Sequence, residues 1–407
     1  MAADPTRAAE PAQSLRFLLL YALAWAGGAV AYVPFLTLFL PVRVAEISGS
    51  AAVQWLGYMA FGGAVAASVG GVAFGWLSDL YGKRWGWIRA GVVVNVVLLL
   101  VMARIETLWL LMATLLIWQL GLNMMLSPLA ALAGDCVPDH QKGLLGGLLA
   151  FAPAAGAAAG ALATFIGIIP RGGMPLQDQM SIVAVMIVAC VGPLLLFGKP
   201  RPVPVSTGDS VERTREPRRL DRAIVRMWLA RLAVQIAEAT LFAYLLYYFQ
   251  SLDPSFRAVD IARITSAVLV LSIPLSLFAG RWADQSGRAI RPLRLSAGIA
   301  AVSLALMALS DSIATALSGY ILFGVSAAVF LALHSSQTLR VLPSPTRRGR
   351  DIGLFNLANT VPSLIMPWLT IAIVPTYGFA PLFWLLALLA GLATFLMMSI
   401  EALPKSA

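Results

Sequence analysis

Residues 75–84 read GWLSDLYGKR, and residues 280–288 read GRWADQSGR. The two stretches place glycines, an acid and a following base at the same spacing, 205 residues apart: Gly75, Asp79, Gly82, Lys83 and Arg84 in the first copy, and Gly280, Asp284, Gly287 and Arg288 in the second. A second pair shares this register, because Pro138 of DCVPDHQKG corresponds to Pro343 of RVLPSPTRRG. Four positions in one register indicate an internal duplication with two parallel halves.

The composition predicts a membrane protein. Hydrophobic residues make up 59% of the chain, charged residues 12%, and the mean hydropathy is +0.83, whereas a soluble domain carries about 25% charged residues. Apolar segments of about 20 residues are long enough to cross a bilayer. Twelve such segments lie near 15–40, 53–77, 87–104, 107–133, 143–169, 180–198, 226–250, 260–282, 293–310, 312–340, 352–372 and 378–400. We therefore expect an all-α integral membrane protein with twelve transmembrane helices.

The basic residues predict the orientation of these spans. With the N-terminus inside, 23 Lys and Arg fall in cytoplasmic segments, five fall on the opposite side, and Arg231 lies within a span. Cytoplasmic loops carry the excess of Lys and Arg, so both termini are expected in the cytoplasm. We expect a multi-pass protein of the cell (inner) membrane. The net charge of +10 is spread over these loops, which excludes a nucleic-acid partner.

The duplication and the spans predict the domain organisation. A cytoplasmic tail at 1–14 precedes a six-helix bundle at 15–198, and a second bundle at 226–400 precedes a tail at 401–407. The linker between the bundles, 199–225, is rich in proline and charge. The N-terminus shows no cleavable signal pattern, and Cys136 and Cys190 have no metal-ligand spacing and predict no disulfide. We expect a monomer in the lipid bilayer.

The pattern G-x-x-x-D-x-x-G-[K/R] between spans two and three resembles the signature loop of the major facilitator superfamily. The twelve spans, the basic central loop and the second copy extend the resemblance over essentially the whole chain. It implies two six-helix bundles with pseudo-two-fold symmetry around a central cavity, lined mainly by spans 1, 4, 7 and 10. It also implies that substrate reaches either side by rocking of the bundles, with no cofactor.

The two acidic motifs predict conformational latches. An Asp at a helix end can accept hydrogen bonds from the N-terminus of a neighbouring helix and from a nearby base. The expected partners of Asp79 are Lys83, Arg84 and the start of span eleven, with Asp135 beside them; those of Asp284 are Arg288 and the start of span five. The alternative is a plain turn that only sets topology.

A narrower resemblance concerns residues 349–367, GRDIGLFNLANTVPSLIMP, and 128–147, PLAALAGDCVPDHQKGLLGG. These stretches are similar to the eleventh-span region and the post-span-four segment of sucrose and related glycoside–proton symporters. Span two carries no intramembrane acid, and span four lacks the base that plant-type sucrose carriers place before the Asp. The resemblance favours a sugar or glycoside as substrate.

Span seven holds the richest set of intramembrane polar residues. Arg231, Gln235 and Glu238 fall at i, i+4 and i+7 and share one helix face. Charged groups inside a span usually face a water-filled path, and a carboxyl group near the span's midpoint suits a proton that loads on one side and leaves on the other. Arg231 is about 10 Å away along the axis. We therefore predict a proton-coupling role for Glu238 with Arg231, and a substrate-binding role for Gln235. The alternative for Glu238 is a structural acid between helices.

Other polar residues predict the substrate site. His334 in span ten lies at a depth similar to that of Arg231 and is expected to relay protons or bind a substrate hydroxyl; packing is the alternative. Amides offer donors and acceptors to a polar solute, or they join helices together. The remaining substrate-binding candidates are Gln119 and Asn123 in span four, Gln337 in span ten, Asn356 and Asn359 in span eleven, and the tyrosines Tyr32, Tyr58 and Tyr244.

The sequence thus predicts a secondary active transporter that works by alternating access, is coupled to protons, and moves a small polar organic solute, with sugars favoured. No GxxxxGK[ST] motif and no Cys/His cluster occurs, so neither a nucleotide-driven pump, an enzyme nor a metal site is expected. The alternatives are proton-driven export of amphipathic compounds or metabolites, and a non-transporting receptor or assembly factor with the same fold.

Overall fold

The structure is a computed structural model that describes residues 12–48, 51–168, 175–201, 217–256, 258–286, 290–341 and 348–400. This part of the chain is almost entirely helical and contains no β-strand. Its α-helices are α1 (Leu15–Pro34), α2 (Leu40–Ser48), α3 (Ala52–Tyr81), α4 (Arg84–Met102), α5 (Leu108–Cys136), α6 (Lys142–Leu149), α7 (Ala152–Ile168), α8 (Leu176–Phe197), α9 (Pro217–Leu252), α10 (Ala258–Ser286), α11 (Ile290–Ala308), α12 (Ile313–Val341), α13 (Arg348–Tyr377) and α14 (Phe379–Met398).

Within the described ranges, twelve helical segments are long and apolar enough to cross a membrane, and each coincides with a predicted span. The largest difference is the end of the first span, which runs to Ser48 instead of stopping near residue 40. Pro34 has no amide proton, and the chain continues through a π-helical turn, Phe35–Phe39, into α2. Arg43 lies beyond the predicted end of this span, and its guanidinium donates two hydrogen bonds to the carbonyl of Ile105.

The helices form two bundles, each with its own hydrophobic core. One core joins buried residues between Phe17 and Leu194, and the other joins buried residues between Met227 and Ile400. Ile352, near the start of α13, packs against both cores. The end of the predicted linker, residues 217–225, is helical and belongs to α9, which begins at Pro217. Residues 202–216 lie outside the described part.

The bundles meet at one end of the molecule, where α3 packs against α13 and α6 packs against α10. Two pairs of glycines let these backbones touch. A Cβ on Gly75 would lie 2.2 Å from the carbonyl oxygen of Gly349, and a Cβ on Gly280 would lie 2.2 Å from that of Gly143. Only glycine permits such approaches. We call this contact the seam; it is the end that the basic residues predict to be cytoplasmic.

Further along α3 the described contacts with the other bundle cease. The last hydrogen bond across the seam joins the hydroxyls of Ser68 and Thr360, 2.7 Å apart. Beyond it, Gly62 and Gly63 face only α5 of their own bundle, and Gly57 faces no atom within 4 Å. From Ser68 toward its N-terminus, α3 thus turns away from the second bundle. We call the space between the bundles the crevice and its end at the seam the floor.

A single glutamine joins three segments of the first bundle beside the seam. Gln13 is 3% exposed; its side-chain amide donates to the carbonyls of Cys136 and Arg201 and accepts from the Arg201 amide. Its backbone exchanges hydrogen bonds with the Gln141 side chain at 2.7 and 3.1 Å. The start of α1 is thereby fixed to the end of α5, to the Asp139–Gln141 turn and to the chain that leaves α8.

The seam depends on the absence of a side chain at residue 75, and Gly75→Ala tests this. The added methyl meets backbone atoms that cannot move aside, and such overpacking costs about 1–3 kcal/mol. The readout is disulfide formation across the seam in a parent protein that carries Ser68→Cys and Thr360→Cys, with Cys136 and Cys190 replaced by alanine. We expect Gly75→Ala to slow this cross-link by about tenfold.

Gly57→Ala is the matched control, because it adds the same methyl to the same helix where no atom lies within 4 Å. Its cross-linking rate should equal that of the parent protein. Equal rates for the two alanine variants would contradict the close approach at the seam.

Candidate functional site

Asp79 joins the two bundles through the N-terminus of α13. Its side chain is 4% exposed, and its two carboxylate oxygens accept from the amides of Gly349 and Arg350, each at 2.9 Å. The first amides of a helix have no partner within the helix and attract negative charge. An acid of one bundle therefore caps a helix of the other.

Asp284 repeats this arrangement in the opposite direction. Its carboxylate accepts from the amides of Gly143 and Leu144, at 2.9 and 2.8 Å, in the first turn of α6. The acid now belongs to the second bundle and the capped helix to the first. Gly287 and Arg288, predicted members of this latch, lie outside the described residues.

Arg84 gathers the acids around the first latch. Its guanidinium donates to Asp79 and to the Ser78 hydroxyl, both at 2.9 Å, and also contacts the Asp135 carboxylate. Gly82 makes this possible, because it ends α3 in the left-handed conformation with φ of 61° and turns the chain into α4. Lys83, the other predicted base, is exposed and contributes no hydrogen bond to this group within the described chain.

Four of the predicted polar residues form one network at the floor of the crevice. Asn359 Oδ1 accepts from Arg231 Nε at 3.0 Å and from Gln235 Nε2 at 2.8 Å. Arg231 Nη1 also donates to the Ser335 hydroxyl at 2.9 Å and lies 3.4 Å from His334 Nδ1. The network therefore joins α9, α12 and α13, and all the groups that receive the guanidinium's hydrogen bonds are neutral.

A chain of amides extends this network across the seam. Asn359 donates to Asn356, whose Nδ2 lies 3.8 Å from the position a Cβ on Gly71 would take. The side chains of Asn123 and Ser127, on α5, lie 3.5 and 4.0 Å from the same position. Amide and hydroxyl groups of both bundles thus converge on one glycine. Gln119, one turn from Asn123, is 7% exposed and faces Gly63.

Glu238 differs from these residues in the surroundings of its carboxylate. It lies two turns along α9 from Arg231 and is partly exposed. Within the described part of the chain, no hydrogen bond or ion pair involves it. Tyr32 of α1, Arg231 and Tyr320 of α12 are close enough to interact with it electrostatically. The carboxyl group therefore faces the crevice between the bundles.

His334 and Gln337 are fully buried, with 0% exposure. His334 Nε2 lies 2.9 Å from the Met227 carbonyl, which assigns its proton to Nε2 and leaves Nδ1 as the acceptor for Arg231 and for Thr338 at 3.2 Å. The Gln337 side chain has no hydrogen-bond partner among the described residues. In this arrangement neither side chain lies open to the crevice; His334 instead positions Arg231.

The predicted tyrosines lie in separate places. Tyr32 is 37% exposed and lies beside Glu238. Tyr58 is 50% exposed and accepts from Gln54 at 2.8 Å, away from the floor. Tyr244 packs against Tyr247, with ring centroids 6.4 Å apart. The structure therefore brings Tyr32, but not Tyr58, to the charged part of the crevice.

Sequence reasoning missed several residues of this region. Ser335 follows His334 directly, and Ser127 lies one turn from Asn123. Ser68 and Gly71 belong to the small-residue run GGAVAASVGG, residues 62–71. Serines in apolar helices often bond only their own backbone, so the sequence carries no signal that these ones face another helix.

The second half of the chain matches a sequence-family model. Residues 227–406 match the model described as Major Facilitator Superfamily. No curated protein sequence matches the chain.

Solved structures with the same fold cover nearly the whole chain. The human organic anion transporter MFSD10 (TETRAN) superposes with a TM-score of 0.73 and 14% identity, over 94% of this chain and 99% of that one. The proton:xylose symporter XylE, bound to 6-bromo-6-deoxy-D-glucose, gives 0.72 and 15% identity over 94% and 95%. FucP in the outward conformation gives 0.73 and 14% over 95% and 99%. At these identities the likeness shows the fold alone.

Asn359 is the common acceptor of the floor network, and Asn359→Ala removes it. The substitution leaves donors of Arg231 and Gln235 unpaired in a mostly buried place, which costs about 1–3 kcal/mol for each group. We expect a lower midpoint of thermal unfolding for the purified protein in detergent. Thr370→Val is the control, because this buried hydroxyl of the same helix bonds only its own backbone at Met366. Equal midpoints would show that Asn359 does not hold the network.

Proposed function

We propose that the chain, whose second half matches the Major Facilitator Superfamily model and which shares its fold with transporter structures, is a proton-coupled secondary transporter of a small polar organic solute. In this proposal the protein spans the cell membrane and both of its termini lie in the cytoplasm, which the distribution of Lys and Arg supports. One protein chain is sufficient, since the crevice lies between its own two bundles. Hydroxylated solutes of the sugar and glycoside class are the favoured substrates on the sequence.

The observation that carries the proposal is the carboxyl group of Glu238. It lies in the middle of α9, faces the crevice, and is free of hydrogen bonds and ion pairs within the described chain. An intramembrane acid held only for stability would be expected to have a partner. An unpartnered acid exchanges protons with the crevice and changes the local charge when it does so.

The two latches support alternating access. In the proposed cycle the seam closes the predicted cytoplasmic end while the crevice is open toward the outside. Release of Asp79 and Asp284 from the helix N-termini would let the bundles rock and open the other end. Each contact joins an acid to backbone amides and needs no partner side chain to rearrange, so the latches are suited to repeated opening.

The floor of the crevice supplies groups that suit a polar solute. Asn123, Asn356 and Gln235 present amides from both bundles, and amides donate to and accept from hydroxyl groups. Because these groups lie next to the seam, a solute that binds them contacts both bundles. Binding there can change the relative stability of the closed and open arrangements only through such contacts.

Glu238→Gln tests proton coupling. The amide keeps the shape of the side chain but carries no proton for transport, so we expect a pH gradient to drive no accumulation in proteoliposomes, while exchange of labelled for unlabelled solute continues. The solute is first found by thermal-shift screening against sugars, organic acids, amino acids and lipophilic cations. Accumulation is measured with the proton gradient in each direction, which separates uptake from export.

Glu106→Gln is the control, because it makes the same chemical change in an exposed connection between α4 and α5. It should accumulate solute like the parent protein. Undiminished proton-driven accumulation by Glu238→Gln would remove this residue from the mechanism, and indifference of the parent protein to the gradient would indicate a uniporter or another coupling ion.

Asp79→Asn tests the first latch. The amide loses the charge that stabilises two backbone amides and Arg84, and charge-assisted hydrogen bonds contribute about 1.5–3 kcal/mol. We expect net transport to slow by about tenfold or more, whereas solute affinity changes by less than about threefold. Asp311→Asn, in an exposed connection at the other end, is the control. A loss of affinity equal to the loss of rate would place Asp79 in the binding site.

A further inference from the structure

Every hydrogen-bond acceptor of the Arg231 guanidinium among the described residues is neutral, and Glu238 acts on its charge only at longer range. Its hydrogen-bond partners are the amide oxygen of Asn359, the hydroxyl of Ser335 and the acceptor nitrogen of His334. Its remaining terminal nitrogen, Nη2, donates no hydrogen bond within the described part of the chain, and the residue is partly exposed. The guanidinium is thus held through Nε and Nη1, while Nη2 has no hydrogen-bond acceptor among the described residues.

No carboxylate of the second bundle neutralises this charge at close range within the described residues. Glu238 is the acid nearest to Arg231 along α9, about 10 Å away along the helix axis, and no ion pair joins them. The other acids of the described part of 222–400 lie near helix ends or in connections: Asp253, Asp260, Asp284, Asp311 and Asp351. Charges that are largely withdrawn from water are normally paired, so Nη2, which has no acceptor among the described residues, is suited to an anionic partner from outside the chain.

The facing bundle brings no acid to this place either, as far as its described helices extend. In α3 and α5 the acids stand only at the seam end, as Asp79 and Asp135, where Arg84 contacts both. The groups that the first bundle presents near the floor are the amide of Asn123 and the hydroxyls of Ser68 and Ser127. These groups recognise hydroxyls and carry no charge.

We propose that Arg231 binds an anionic group of the solute and that the solute is a small hydroxylated organic anion, such as a sugar acid or hydroxy acid. A carboxylate accepts hydrogen bonds from a guanidinium in a planar, two-pronged geometry. The amides and hydroxyls of the floor then bind the hydroxyl groups of the same molecule. This inference rests on the proposed transport function and specifies the substrate class of its binding site.

This assignment implies that His334 and Asn359 position Arg231. Each offers Arg231 an acceptor without a negative charge, so each orients the guanidinium while leaving its charge for the solute. An acidic residue at either position would form an ion pair with Arg231 and compete with the solute. They are positioning residues, and Arg231 is the group that touches the anion.

Four matched pairs of probes test the proposal on the intact protein. Each pair joins an acid to a neutral molecule of similar size: gluconate with glucitol, glucuronate with glucose, glycerate with glycerol, and lactate with propane-1,2-diol. Affinities are measured by isothermal titration calorimetry of the full chain in lipid nanodiscs. We expect at least one acid to bind, with its neutral partner about 10- to 100-fold weaker, the range expected for charged hydrogen bonds.

Variants of Arg231 locate the binding. Arg231→Gln should lose the affinity difference within the pair, and Arg231→Lys should keep part of it, because lysine retains the charge without the two-pronged geometry. Arg226→Gln is the control, since Arg226 lies on the same helix near the seam end and donates to the Ser399 carbonyl. Thermal unfolding without probe shows whether each variant is folded. The comparison of acid and neutral probes on the parent protein tests the proposal even if a variant fails to fold.

Three results would overturn the proposal: neutral partners that bind as tightly as their acids, failure of all four acids to bind, or an anion that binds Arg231→Gln and the parent protein equally. The outcome is distinct from that of the transport proposal. An acid that binds through Arg231 but is not accumulated by a proton gradient contradicts proton coupling alone. A neutral solute that is accumulated by Arg231→Gln contradicts this inference alone.

Discussion

The structure depends on an aspartate of one bundle that caps a helix of the other bundle. Asp79 accepts two amides of α13, and Asp284 accepts two amides of α6. Each contact is possible because a glycine one turn earlier, Gly75 or Gly280, lets the helices meet backbone to backbone. Charge and close packing therefore act at the same points. The two acids are related by the same duplication that relates the bundles, so the closed end is held by two equivalent contacts.

Helix α13 carries both the latch and part of the floor. Its first residues bind Asp79, and two to three turns later it supplies Asn356 and Asn359 to the polar network. A helix is stiff over this length, so a tilt that frees its N-terminus also moves its amides relative to Arg231 and Gly71. This shared element is a physical reason for binding at the floor and opening at the seam to influence each other.

The sequence predicted the features that depend on repetition and hydropathy. The twelve spans follow from hydropathy, and the duplication follows from the 205-residue spacing. That Asp79 and Asp284 meet helix N-termini is expected from the chemistry of an acid at a helix end. The rotation of one helix against another cannot be derived in this way. Asn359 and Asn356 appeared as one amide pair, and only the packing of α9, α12 and α13 makes Asn359 the acceptor shared by Arg231 and Gln235. Likewise, the depth of His334 suggested a place in the crevice, whereas its buried ring bonds the Met227 carbonyl.

Gln13 gives the first bundle an order of assembly. It emerges from the ribosome before any of its partners, yet its amide is satisfied only when Cys136 and Arg201 have arrived. All six spans of that bundle must therefore be synthesised after Gln13 before its last hydrogen bonds can form. The hydrogen bonds between Gln13 and Arg201 can form only when the first half has been synthesised and the chain continues toward α9. A segment that is synthesised before all six spans of its bundle thus completes its hydrogen bonds only after the sixth span.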